Sequence, residues 1–149
     1  MRVDEEKTAK AVVKEAPISP KKVVNLARVI KGMRLKEAKE LLERVAEGKE
    51  PVPLWRHKRK QAHHRGVAAK YKVPYARYPV KAARILLKLL DNVENNADVK
   101  GLDVERLRII HIAVHKGRVL KRWMPRAFGR SSPRFKHYSN IEVIVKEEE

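Results

Sequence analysis

Leu107-Arg108-Ile109-Ile110-His111-Ile112-Ala113-Val114-His115, and later Asn140-Ile141-Glu142-Val143-Ile144-Val145-Lys146, place apolar side chains at alternate positions. A period of two marks a strand with one face on a core and the other on solvent. Ile110, Ile112 and Val114 would share one side of the first strand, and Ile141, Val143 and Val145 one side of the second. The two are predicted to pair as an antiparallel hairpin. Residues 116–139 between them lack that pattern, and an irregular loop of such length is uncommon in a compact domain. The hairpin is therefore expected to continue outward as a basic arm, with its bend near Gly129–Pro133. Arms of about 19 residues at ~3.3 Å per residue would span roughly 60 Å.

Upstream the apolar period changes from two to 3.6. Ser19-Pro20 reads as an N-cap followed by proline at the first helical position, with Ile18 and Val23 spaced as a hydrophobic staple. The first helix should run to about Lys31, with Val23, Ala27 and Ile30 on one face and Gly32 as its stop. Leu35, Ala38, Leu42 and Val45 predict a second helix over about 36–47, ending at Gly48. Pro79 opens a third, with Val80, Ala83, Leu87, Leu90 and Ala97 on one face, widened by Leu86, Leu89 and Val93; Gly101 closes it. Residues 9–15 alternate weakly, as a short edge strand would. The order is β-α-α-α-β-β. It predicts an α+β fold, three helices packed on one face of a small antiparallel sheet with a long protruding β-hairpin. At 149 residues the chain reads as a single domain, 1–149. Within it, 49–78 is a basic insertion loop broken by Pro51, Pro53 and Pro74, and 116–139 is the arm.

Charge is distributed unevenly. Every aromatic residue lies in one of two stretches free of carboxylates: 51–90, with eleven Lys/Arg, and 106–141, with ten. These supply +21 against +18 for the whole chain, so the remainder nets −3. Cations neutralise phosphates, and flat rings offer stacking surfaces to unpaired bases. In the arm, Lys116, Arg118, Lys121, Arg122, Arg126, Arg130, Arg134 and Lys136 interleave with Trp123, Phe128 and Phe135. A solvated edge kept soluble by charge would explain the lysines. It would not explain three large aromatics or the missing acids. In the insertion, Arg56, Lys58, Arg59, Lys60 and Arg65 form a second candidate RNA-binding group, in a segment without the apolar pattern to build its own core. A localisation-type patch, a disordered loop and an RNA-ordered loop all fit that composition.

Other chemistries lack support. The chain has no cysteine, so neither a disulfide nor a thiolate metal site can form. His111 and His115 lie four apart, roughly 13 Å along a strand, too far for a shared ion, and adjacent His63 and His64 would point to opposite sides. The carboxylates sit on helix surfaces and in the tail rather than in a catalytic cluster. The six glycines form no phosphate-binding loop. No metal, cofactor, small-molecule substrate or enzymatic activity is expected. The apolar patch Ile85–Leu90 is too short to span a bilayer, and the acidic start from Met1 to Lys7 has no apolar run of a signal peptide. A cytoplasmic protein without a membrane partner is expected.

Lys121-Arg122-Trp123-Met124-Pro125-Arg126-Ala127-Phe128-Gly129-Arg130, followed by Asn140-Ile141 opening an alternating strand, resembles the signature of the large-subunit ribosomal protein twenty-two family. Ile18-Ser19-Pro20 before a helix and Asn95-Asn96-Ala97 late in the third are also similar to that family, over roughly residues 9–146. The insertion ending Arg77-Tyr78-Pro79-Val80-Lys81 resembles its archaeal and eukaryotic branch. The resemblance implies a structural constituent of the large ribosomal subunit, in the cytoplasm. Its partners would be large-subunit (23S-type) rRNA, neighbouring large-subunit proteins and the nascent peptide. Its arm would line the peptide exit tunnel with a tip made by Arg126, Ala127, Phe128, Gly129 and Arg130. A DNA-binding architectural protein and an RNA-guiding subunit of an RNA-modifying enzyme are the competing readings. The tip signature followed by a strand argues against both.

Overall fold

In the computed structural model, which describes residues 6–148, the body opens with β1 (Thr8–Ala16), α1 (Pro20–Ile30) and α2 (Leu35–Ala46). The insertion holds β2 (Val52–Pro53), α3 (Val67–Tyr71) and β3 (Ala76–Arg77), and α4 (Val80–Val99) follows. A 3-10 turn at Val104–Arg106 leads into β4 (Leu107–Leu120), β5 (Trp123–Pro125), β6 (Ser131–Pro133) and β7 (Lys136–Glu147). The acidic residues 1–5, on which most of the expectation about a signal peptide rests, lie outside the described residues. The three long helices stand where the apolar period put them. The short α3 is additional.

The main sheet is antiparallel in the order β1-β7-β4, so β1 is indeed an edge strand. Ile141, Val143 and Val145 of β7 face the helices and are fully buried, flanked by Ala9 and Ala11 of β1. On β4 the expected grouping fails in part. Ile109 pairs with Val145 and His111 with Ile144, which leaves Ile110 as an extra residue in a bulge. The bulge inverts the alternation, because one added residue turns every later side chain to the other face. Leu107 and Ile109 point to the core before it and Ile112 after it, while Ile110 is only half-buried.

The helices cover one face, α4 against β1 and α2, and α1 against β4. The buried stripe of α4 runs through Ala82, Ala83, Leu86, Leu89, Leu90, Val93 and Ala97, leaving Val80 and Leu87 at its margin. Each fully buried leucine there contributes about 2 kcal/mol of transfer free energy. Lys39 bridges α2 to α4 by pairing with Asp91 at 2.7 Å and with Glu94. Burial lowers its pKa, but the two carboxylates outweigh that and leave it above the ordinary lysine value. Ile18 and Val23 are buried as the staple requires, but the Ser19 hydroxyl makes no capping bond. Gly32, at φ 85°, ends the first helical segment and donates its N–H to the Ile109 carbonyl at 2.8 Å, tying α1 to β4.

β4 and β7 stay paired beyond the body, to Leu120 opposite Lys136. The hydrophobic core contains no residue between 115 and 140. Excising 117–136 and joining the strands through a tight turn should therefore leave a body that unfolds cooperatively on heating. Loss of that transition in calorimetry would place the arm inside the core's cooperative unit.

Candidate nucleic-acid interface

The outer part of the arm is a second, two-stranded ladder in which Trp123 pairs with Pro133 and Pro125 with Ser131. Its turn is Arg126–Arg130, closed by the Arg126 N–H on the Arg130 carbonyl at 2.8 Å. The bend thus comes earlier than the glycine–proline spacing implied, and Pro133 lies within a strand. Phe128 and Gly129 both take left-handed backbone, φ 59° and 66°. That conformation is costly for a phenylalanine. Its side chain is 94% exposed, so burial does not offset the cost. Trp123 and Phe135, also exposed, meet edge to face at 6.0 Å. Arg126 Nε donates to Ser132 Oγ at 2.9 Å. Among the described residues, Lys116, Lys121, Arg122, Arg126, Arg130, Arg134 and Lys136 form no ion pair with a carboxylate.

Arg118 differs. Its Nε lies 2.9 Å from Glu15 Oε2, and its guanidinium sits 5.0 Å from the Tyr138 ring centre. Glu15, at φ 55°, comes from the end of β1, where its N–H donates to Asn140 Oδ1 at 2.8 Å. A Cβ at Gly117 would lie 3.0 Å from Glu15 Oε1 and 3.1 Å from the Tyr138 carbonyl, so glycine permits the close approach. Arg118 thereby anchors the root of the arm as well as adding charge.

The insertion is held by a residue with no earlier assignment. Asn25 of α1 is 1% exposed, and its Oδ1 accepts from the Trp55 and Arg56 N–H groups at 3.0 and 3.1 Å. Its Nδ2 donates to the Arg56 carbonyl at 3.2 Å. Trp55 packs on the core under the Arg28 guanidinium, 4.5 Å from its ring centre, and meets Tyr71 edge to face. Neither ring is an open stacking surface. Glu50 bonds Arg44 at 2.8 Å and Lys70 at 3.0 Å. Burial raises its pKa, but these two cations win and hold it below the ordinary glutamate value. On this framework Arg56, Lys58, Arg59, Lys60 and Arg65 are all exposed. No hydrogen bond, ion pair or ring contact joins the insertion to the arm among the described residues.

His111 and His115 do not stay apart. Glu142 pairs with Ala113 between them, and its Oε1 lies 3.3 Å from each Nε2. Both rings reach one carboxylate oxygen, a convergence that strand spacing alone cannot reveal. Hydrogen bonds from His115 and then His111 lower the Glu142 pKa. Among the described residues no group of three or more His, Cys, Asp or Glu side chains is arranged to hold a metal ion.

A third set of cations was legible but unassigned. From Ala16 to Lys36 the sequence has no acid and carries Lys21, Lys22, Arg28, Lys31, Arg34 and Lys36. Arg28 and Lys31 share a shallow groove with Arg56, beside Ile112 and Val114 of β4. Folding thus joins part of this stretch to the insertion.

The family model for ribosomal protein L22p/L17e matches residues 11–146. A Hyperthermus butylicus protein named large ribosomal subunit protein uL22 is 72% identical over 149 residues, covering 100% of this chain and 96% of that protein. Its namesake in Ignicoccus hospitalis is 60% identical, covering 97% and 91%. The one in Methanopyrus kandleri is 48% identical, covering 97% and 90%.

Proposed function

The chain belongs to the ribosomal protein L22p/L17e family, and from that premise we propose that it serves as a structural constituent of the large ribosomal subunit, binding large-subunit rRNA through its arm and insertion. It is a ribosomal component and not an enzyme, and it works in the cytoplasm. Among the described residues no helix is long and apolar enough to cross a membrane.

The observation that carries the rRNA reading is the arm. A two-stranded ribbon with exposed aromatics, unpaired cations and no second layer is marginal in water. Packed RNA supplies phosphate for the cations and cover for the rings. In the assembled subunit the turn Arg126–Arg130 lines the peptide exit tunnel and meets the nascent chain, while the body contacts neighbouring large-subunit proteins. The strained, solvent-facing Phe128 is consistent with a tip shaped for a surface outside the protein.

Replacing Arg126 and Arg130 together by Ala tests this reading. Both side chains are exposed and neither meets a carboxylate, so the free protein's stability should change by no more than about 0.5 kcal/mol. The salt slope of rRNA binding should fall by about one per arginine, and co-sedimentation with large subunits should weaken. Unchanged binding in both assays would remove the tip from the interface.

A further inference from the structure

A cavity of about 310 Å³ opens between the start of α1 and the insertion. Lys21, Lys22, Arg56 and Arg77 line it, and no carboxylate does. Val52, Leu54 and Tyr78 give it an apolar part of the lining. Tyr78 is 41% exposed, and its hydroxyl lies 2.9 Å from His64 Nε2, which fixes the ring. Gln61 also lines the cavity, and its buried Oε1 has no hydrogen-bond partner among the described residues. The Asn25 bonds to Trp55 and Arg56 hold the same part of the insertion in place.

We propose that this cavity receives one unpaired nucleotide of the rRNA, with its phosphate among the four cations and its base against Tyr78. The proposal rests on the rRNA-binding reading and adds a mode of recognition to it. The volume lies at the lower end of the roughly 300–1,000 Å³ of small-ligand pockets, room for one nucleotide and too little for a duplex. Sequence-reading RNA contacts take this form, since unpaired bases can be splayed onto aromatic rings whereas A-form grooves hide base edges. A site held in place before binding loses little ordering entropy on it.

Equilibrium binding to large-subunit rRNA at several salt concentrations, with the full chain, distinguishes this contact from the arm's. Tyr78→Ala should weaken binding roughly ten-fold with an unchanged salt slope, because stacking is lost and no charge is. Tyr78→Phe should bind within two-fold of the unsubstituted protein, and Arg77→Ala should lower the slope by about one. Unchanged affinity in Tyr78→Ala overturns the nucleotide site and leaves salt-dependent binding by the arm intact. A flat salt response of the unsubstituted protein would remove the rRNA reading itself. Photo-cross-linking of the unsubstituted protein to rRNA needs no variant: a nucleotide adduct on Tyr78 or His57 is expected, and adducts confined to the arm overturn the proposal.

Discussion

Raising salt from 50 to 200 mM should weaken binding of this protein to large-subunit rRNA by about three orders of magnitude or more. The size of the effect follows from counterion release: each phosphate neutralised by Lys or Arg frees condensed cations, and about eight contacts suffice for that loss. The chain carries 36 Lys and Arg. Those of the arm other than Arg118 are free of carboxylate partners among the described residues, and Arg56, Lys58, Arg59, Lys60 and Arg65 are exposed on the insertion. Arg44 and Lys70 bond Glu50 and Arg118 pairs with Glu15, so these three count for less. A filter-binding or fluorescence titration at four salt concentrations gives the slope. A nearly flat line would show that phosphate is not the main partner.

Asn25→Leu should cost about 3 kcal/mol of stability. The branching of the side chain is kept, but two N–H groups and one carbonyl in the insertion lose their partner, at about 1–3 kcal/mol for each group that stays buried and unpaired. Asn25→Asp keeps the acceptor for the Trp55 and Arg56 N–H groups but turns a buried carboxylate oxygen toward the Arg56 carbonyl, so it should destabilise as well. Hydrogen exchange in Asn25→Leu should accelerate across the insertion while the β1-β7-β4 ladder stays protected. A loss under about 0.5 kcal/mol, the range of ordinary surface changes, would mean that the insertion is held by other contacts.

The body was legible because its elements are strongly periodic. Helix faces and strand faces could be read from Leu42, Leu89, Ile141 and Val143 without knowledge of their neighbours. What escaped depends on contacts distant in sequence. The bulge at Ile110 is a matter of register against β7, and register is decided by pairing rather than by composition. Glu142 meets His111 and His115 only through the same pairing. Asn25 is a polar residue among the apolar positions of α1, a visible anomaly, but the Trp55 and Arg56 amides that satisfy it lie thirty residues away. Trp55 and Tyr71 carried the composition of a stacking surface, yet they pack against each other. Composition records residue type and not exposure. The arm cations other than Arg118 were legible for the opposite reason: with no core near them, folding brings them no carboxylate among the described residues, whereas Arg118 meets Glu15.

An arm built for an RNA surround should change its amide hydrogen exchange when that surround is supplied. In the isolated protein the amides of 116–139 should exchange rapidly, since beyond the Arg118–Glu15 anchor at its root the arm is a two-stranded ladder with no second layer, held by the Trp123–Phe135 contact and the Arg126–Ser132 bond, and its like charges repel. In the large subunit the same amides should be protected, with the β4–β7 ladder in the body slow in both states. Equal protection of the arm in both states, or equally fast exchange in both, would show that RNA does not order the arm.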